Sequence, residues 1–155
     1  MVKKIVIGSD HGGFALKEEI KKVLKKPGYS INDIGTYSNG ACDYPLIGYE
    51  AAKNISDKKV SKGIVICKSG IGMSIVANKL PGVRAGLCFS AKDAVSSRQH
   101  NDSNILVLSA NKLKKKEAVE IVKIWLKTKA LKGRHARRVR QIKEIEKKVF
   151  KKRSK

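Results

Sequence analysis

The sequence predicts an α/β fold built on a five-stranded parallel sheet with helices on both faces. Two observations carry that expectation. Short apolar runs rich in β-branched residues alternate with segments of helical periodicity along nearly the whole chain, the pattern of a parallel sheet. The length, 155 residues, suits one domain with a substantial apolar core.

Each element follows from its own residues. Lys4–Ser9 reads as a first buried strand. Gly12–Lys26 carries Phe14, Leu16, Ile20, Val23 and Leu24 near helical spacing, and Pro27-Gly28 ends it. Ser30–Ile34 is a second short strand. Pro45–Ser56 is a helix whose proline suits the first turn. Gly63–Cys67 is the third strand, and a glycine-rich turn from Ser69 to Ser74 leads into a short helix ending near Lys79. Val83–Phe89 is the fourth strand, Ala91–Arg98 a helix, and Ile105–Leu108 the fifth strand. Two charged helices, about 114–129 and 134–151, close the chain around Gly133. The organisation expected is a single domain over 1–150 and a frayed basic tail over 151–155.

Composition narrows the function classes. No run of 18 apolar residues exists, so no membrane span is expected, and the N-terminus reads as a strand rather than a signal peptide. Cys42, Cys67 and Cys88 are widely spaced with no CxxC pair, which predicts reduced thiols and a cytoplasmic protein. The net charge is +22, and residues 111–155, with 19 basic and 4 acidic residues, carry +15 of it. Such a surface attracts phosphates of any kind. No aromatic residues interleave the basic ones, so the reading is a solvated basic face rather than a nucleic-acid partner.

Parallel sheets bind ligands beyond the carboxyl ends of their strands. The residues found there are Ser9 to Gly13, then Asp43-Tyr44-Pro45, then Cys67 to Ser74. Arg98 to Asp102 precedes the fifth strand, and Gly133 to Arg138 opens the last helix. All three histidines, His11, His100 and His135, fall in these segments. Taken alone, the 69–74 turn fits either an oxyanion cradle of backbone N–H groups or an ordinary strand-to-helix turn. It is neither a P-loop nor a full dinucleotide fingerprint. Cys67 is either a buried thiol or a reactive one at a helix start. Arg134 and Arg138 share one helix face, to clamp a phosphate or simply to meet water. Asp10 and His11 have no further ligands at compact spacing, so no metal is expected.

As an ordered set, GSDHGG (8–13), DYP (43–45), CKSGIGMS (67–74), ANK (77–79), SRQHND (97–102) and GRHARR (133–138) resemble the ribose-5-phosphate isomerase B family, which also includes galactose-6-phosphate isomerase subunits. The resemblance spans about residues 4–146. It implies a three-layer α/β/α sandwich with a Rossmann-like sheet. It also implies a homodimer or dimer of dimers, with the C-terminal helix reaching the partner. The reaction implied is interconversion of ribose 5-phosphate and ribulose 5-phosphate through an enediolate, without metal or cofactor. Cys67 matches the base that moves the proton. Ser69 and the amides of Gly70, Ile71, Gly72, Met73 and Ser74 match the enediolate pocket. His100 matches the residue that opens the sugar ring, with Asn101 beside it, both supplied by the partner of the Cys67 chain. Asp10 and His11 match contacts to the sugar hydroxyls and the phosphate end, Tyr44 a pocket wall, and Arg134, His135 and Arg138 the phosphate grip.

The chemistry suits these residue types. A proton beside a carbonyl leaves more easily when preorganised donors meet the oxyanion, at about 3–4 kcal/mol per donor. The phosphate supplies remote binding energy that holds a small sugar. Three positions depart from the resemblance. Lys68 stands where glycine is usual, Ser69 where threonine is commoner, and Asn111 where many members carry an arginine that reaches phosphate. The alternatives are a hexose 6-phosphate of the allose or galactose type, or a non-catalytic binder of sugar phosphate or nucleic acid.

Overall fold

Apolar, β-branched runs form strands buried from both sides, and here five of them align in parallel. The computed structural model describes residues 3–26 and 28–153. Its strands are β1 (Lys4–Ser9), β2 (Ser30–Asp33), β3 (Lys62–Cys67), β4 (Ala85–Leu87) and β5 (Ile105–Ser109), in the order β2-β1-β3-β5-β4. Every neighbouring pair is parallel, as the alternation predicts. Between the strands run α1 (Phe14–Lys25), α2 (Tyr44–Ser56), α3 (Ile71–Ala77) and α4 (Ala91–Asn101), followed by α5 (Lys115–Lys127) and α6 (Arg134–Arg153). No helix among the described residues is long and apolar enough to cross a membrane.

Successive strand residues point to opposite faces and so build two cores. Ile5, Ile7, Ile64, Ile66, Leu106 and Leu108 pack against α1 and α5, with Trp125 fully buried among them. Val6, Val65, Cys67 and Val107 pack against Ala51, Ala52 and Ile55 of α2 and Met73 and Ala77 of α3. Helix α6 rests on α4, buries Val139, and leaves Ile142, Ile145 and Val149 exposed.

The boundaries differ from expectation where side chains intervene. The first helix opens with a 3₁₀ turn at His11–Gly13, because the Asp10 carboxylate accepts from Gly13 N–H at 3.0 Å and tightens the start. The fourth strand is shorter than expected, since β4 is an edge strand paired only with β5. Helix α4 extends to Asn101, where Asp102 in the left-handed region caps it and its carboxylate meets Arg98 at 2.8 Å. The last helix continues through Arg153, so 151–153 are helical rather than frayed; with 20 residues of one amphipathic helix, the end simply propagates. The expected stop at Pro27 and positions 154–155 of the expected tail lie outside the described residues.

One polar group in the core sets the geometry of the loop beneath the site. Lys17 is fully buried on α1, and its ammonium meets Asp33 Oδ1 at 2.5 Å, while Lys21 meets Oδ2 at 2.5 Å. Asp33 Oδ1 also accepts from Gly35 N–H at 3.0 Å. Gly35 C=O in turn accepts from Ser9 N–H at 2.7 Å, which ties this turn to the end of β1. Burial pushes the Asp33 pKa up, but the bonds from Lys17, Lys21 and Gly35 outweigh it and hold the carboxyl below its usual value.

Candidate active site

The chain leaves β1 toward β2 on one side and leaves β3 toward the opposite edge, so the strand order reverses between β1 and β3. A crevice forms at such a switch point, beyond the carboxyl ends. Asp10 and His11 follow β1, and Cys67 ends β3. The 10–13 turn lies directly on β3: Asp10 N–H donates to Ile66 C=O at 3.2 Å, and a Cβ on Gly13 would come within 2.8 Å of that same oxygen. Glycine is therefore required there.

Cys67 is buried, and its Sγ accepts from Gly70 N–H at 3.1 Å. Gly70 makes this bond with φ +78, a left-handed conformation suited to glycine. Ser69 Oγ accepts from Ile71 N–H at 3.2 Å. Ser74 N–H is taken by Gly70 C=O at 3.0 Å. Of the five amides expected to face the enediolate, only those of Gly72 and Met73 therefore lack a protein acceptor among the described residues. The reason is helix geometry. The fifth residue of the turn already closes the first backbone ring, and Ser69 and Cys67 cap two more. The Met73 side chain is buried in the core, Ile71 is exposed, and Ser74 is half-buried.

Three other side chains close around this loop. The Tyr44 ring covers Gly72, where a Cβ would sit 2.4 Å from Cζ. His11 Nδ1 lies 3.3 Å from the backbone N–H of Cys42, which fixes the ring against the loop before α2. The aliphatic stem of Lys68 runs over Gly12, where a Cβ would come 2.4 Å from its Cγ. The lysine at 68 thus leaves the turn itself undisturbed and adds an exposed cation at its rim.

The remaining predicted residues gather elsewhere. The His100 and His135 rings stack with centroids 4.3 Å apart and planes 8° apart. They line a cavity of about 190 Å³ with Asp102, Leu131, Val139 and Arg140. Arg134 and Arg138 stand exposed on the adjoining turn of α6, and Asn101 is exposed beside His100. Partial burial and the charges of His100, Arg134 and Arg138 push the His135 pKa down. Helix α4 returns from the carboxyl end of β4 to the amino end of β5, so His100 sits toward the opposite end of the strands from Cys67. Gly63 pairs with Ile105 and Cys67 with Ser109, so Cys67 stands four residues further along. That is roughly 13 Å at ~3.3 Å per residue. One chain brings Asp10, His11, Tyr44, Cys67 and Ser69–Ser74 together, and separately His100, Asn101, Arg134, His135 and Arg138. It does not unite the two groups.

Sequence reasoning missed Ser109. Its Oγ donates to Lys68 C=O at 2.7 Å and accepts from Lys112 N–H at 3.2 Å, while Asn111 N–H also donates to Lys68 C=O at 3.0 Å. This end of β5 holds the peptide after Cys67. A serine closing an apolar strand was the available signal. Ser9, placed at the end of β1 by the sequence but given no role, has a buried Oγ with no hydrogen-bond partner among the described residues. Among the described residues no three His, Cys, Asp or Glu side chains converge as metal ligands would.

Known proteins share this arrangement of sequence and fold. The profile of the ribose/galactose isomerase family matches residues 5–142. Ribose-5-phosphate isomerase B of Escherichia coli is 41% identical over 145 residues, covering 94% of this chain and 97% of that protein. The solved structure of ribose-5-phosphate isomerase B from Clostridium thermocellum is similar with a TM-score of 0.91 and 49% identity, over 94% of this chain and 99% of that one. The Mycoplasma genitalium ribose-5-phosphate isomerase B structure, which contains bound ribulose-5-phosphate, has a TM-score of 0.90 and 37% identity, over 95% and 98%.

Proposed function

This chain belongs to the ribose/galactose isomerase family, and from that premise we propose that it interconverts ribose 5-phosphate and ribulose 5-phosphate. The observation that carries the reading is Cys67 at the carboxyl end of β3, its sulfur fixed by Gly70 N–H next to the free amides of Gly72 and Met73. A base and two oxyanion donors on one rigid turn are what the chemistry requires.

In the mechanism, the Cys67 thiolate takes the proton from C2 of the opened aldose. The C–H electron pair forms the C1–C2 double bond of the enediolate, and the carbonyl electrons move onto O1. The amides of Gly72 and Met73 and the Ser69 hydroxyl receive the developing negative charge; Ser69 donates its proton while its oxygen keeps accepting from Ile71 N–H. Return of the proton from Cys67 to C1, with a hydroxyl proton shifting from O2 to O1, gives the ketose. Asp10 and His11 contact the sugar hydroxyls and Tyr44 walls the pocket. His100 opens the ring with Asn101 beside it, and Arg134, His135 and Arg138 hold the phosphate. The sheet-length separation of the two groups supports a site shared across a homodimer, or a dimer of dimers, with one group from each chain. A cytoplasmic setting accords with three cysteines free of disulfides.

The test is a coupled assay with ribose 5-phosphate in the presence of EDTA, with allose 6-phosphate and galactose 6-phosphate alongside. Turnover of the pentose is expected. Turnover of a hexose phosphate alone would keep the mechanism and change the substrate, and no turnover would leave a sugar-phosphate binder.

The shared site makes a second expectation. Cys67→Ala and His100→Ala chains should each be nearly inactive as homodimers. Unfolded together and refolded as a mixture, half the dimers carry one intact site, and activity should return to roughly a quarter of the native level. No recovery, despite mixed dimers being detected by mass, would place both residues in sites built from a single chain.

A further inference from the structure

A cavity of about 910 Å³ opens at the other end of the sheet and does not include Cys67. Its wall is built from the amino ends of the strands: Lys4 begins β1, Lys62 begins β3, and Arg84 and Asn104 precede β4 and β5. Helix α6 closes one side with Lys143 and Lys147. Seven lysines line it; Lys59 meets Asp57 at 3.5 Å, and the other six, Lys3, Lys4, Lys58, Lys62, Lys143 and Lys147, have no carboxylate within ion-pair distance among the described residues. The one lining carboxylate, Glu146, is turned to Gly82 N–H at 2.8 Å. Arg84 is already paired with Asp102 at 3.0 Å.

Two of these lysines occupy costly positions. Lys62 is half-buried, with its ammonium 5.0 Å above the Trp125 ring and bonded only to Leu126 C=O at 3.3 Å. Burial, together with the like charges of Arg98 and Lys3, pushes its pKa down to about 8. Lys58 adopts φ +58 just after α2, a left-handed position where a helix end normally carries glycine. Surface charge that merely keeps a protein soluble does not need to sit in a cavity or in a strained backbone. An excess of uncompensated cations in a concave, partly desolvated wall is complementary to a polyanion. Their number exceeds what a sugar monophosphate dianion neutralises.

The floor is apolar, with Ile5, Ile55, Val60 and Leu126 beside Tyr29. Clefts that hold small molecules measure about 300–1,000 Å³, and this one falls within that range. We propose that this groove is a second anion site that takes a nucleoside triphosphate, its phosphates on the lysines and its base against the apolar floor around Tyr29. The site is separate from the isomerase chemistry at Cys67 and does not depend on it.

Trp125, the single tryptophan, lies directly beneath Lys62 and reports on the groove. Titration of the full-length protein with ATP at about 150 mM salt is expected to change its fluorescence saturably. Inorganic tripolyphosphate should bind about tenfold more weakly, for want of the base. Lys62→Met should weaken ATP binding by about tenfold or more. The exposed pair Lys58→Glu and Lys147→Glu should do the same without touching the core. Ribose 5-phosphate at saturation should leave the ATP curve unmoved, and both variants should keep isomerase turnover. Absence of saturable binding would overturn the proposal, as would binding indifferent to these substitutions or competition by ribose 5-phosphate. A single-stranded oligonucleotide binding more tightly than ATP would instead make the groove a nucleic-acid surface and overturn the small-molecule assignment.

Discussion

Replacing Cys67 by alanine should lower kcat for ribose 5-phosphate by about 10²- to 10⁴-fold, the range associated with loss of a positioned proton-transfer group. KM should move by no more than about threefold, because the phosphate and hydroxyl contacts that supply ground-state binding are elsewhere. The sulfur is buried among Val65, Met73 and Val107, so its removal also has a packing cost. That cost, about 1 kcal/mol for so small a group, is visible in a melt and cannot account for a hundredfold loss. Cys67→Ser preserves the volume and replaces the thiol by a far weaker acid, and should be nearly as inactive. The measurements are initial rates with both variants and displacement of a phosphate-bearing competitor. Retained turnover with lost competitor binding would assign Cys67 to packing of the pocket and leave the proton transfer to another group.

Asp33→Ala should reduce stability by about 3–5 kcal/mol, since it leaves the buried Lys17 ammonium with only the longer, partly exposed pair to Glu18. At about 2–4 °C per kcal/mol for a chain of this size, the melting temperature should fall by roughly 10 °C. Lys17 is fully buried, and its other neighbours are the partly exposed Glu18 carboxylate at 3.5 Å and the rings of Phe14 and Tyr37 at 5.6 and 5.2 Å. Adding Lys17→Met to Asp33→Ala removes the stranded charge and should recover much of the loss, which a simple cavity would not allow. The pH dependence follows from the depressed Asp33 pKa. A carboxyl whose folded value lies below its unfolded value contributes fully above the unfolded pKa, near ~3.9. Stability should therefore hold from neutral pH down to about 4 and decline as pH falls through the folded value. Asp33→Asn should remove that part of the decline. A melt of either variant unchanged from native would show that the pair contributes nothing net.

Much of the scaffold was legible because parallel strands buried on both faces leave continuous apolar runs, and IVIG at β1 or ILVL at β5 cannot easily be read otherwise. The cluster at the carboxyl ends was legible for the same reason: once β1 and β3 are placed, Asp10 and Cys67 fall at their ends. What stayed hidden depended on three-dimensional partners. That Ser69 caps Ile71, and that Ser74 is spent on the first helical ring, follows from hydrogen-bond geometry that spacing does not encode. The burial of Lys17 was equally invisible, since an isolated lysine on a charged helix gives no sign of the aspartate 16 residues away that receives it. The register that sets His100 and Cys67 at opposite ends of the strands required the sheet order itself.

The stem of Lys68 lying across Gly12 binds two distant stretches of sequence into one shared choice. While lysine occupies 68, any side chain at 12 collides with it. With glycine at 68, the space over 12 would open. The two positions therefore cannot drift independently, and the order in which their codons change decides which descendants pass through a working protein. The histories of the β1 and β3 loops are joined at that contact, and a substitution tolerated in one lineage would be a lesion in another.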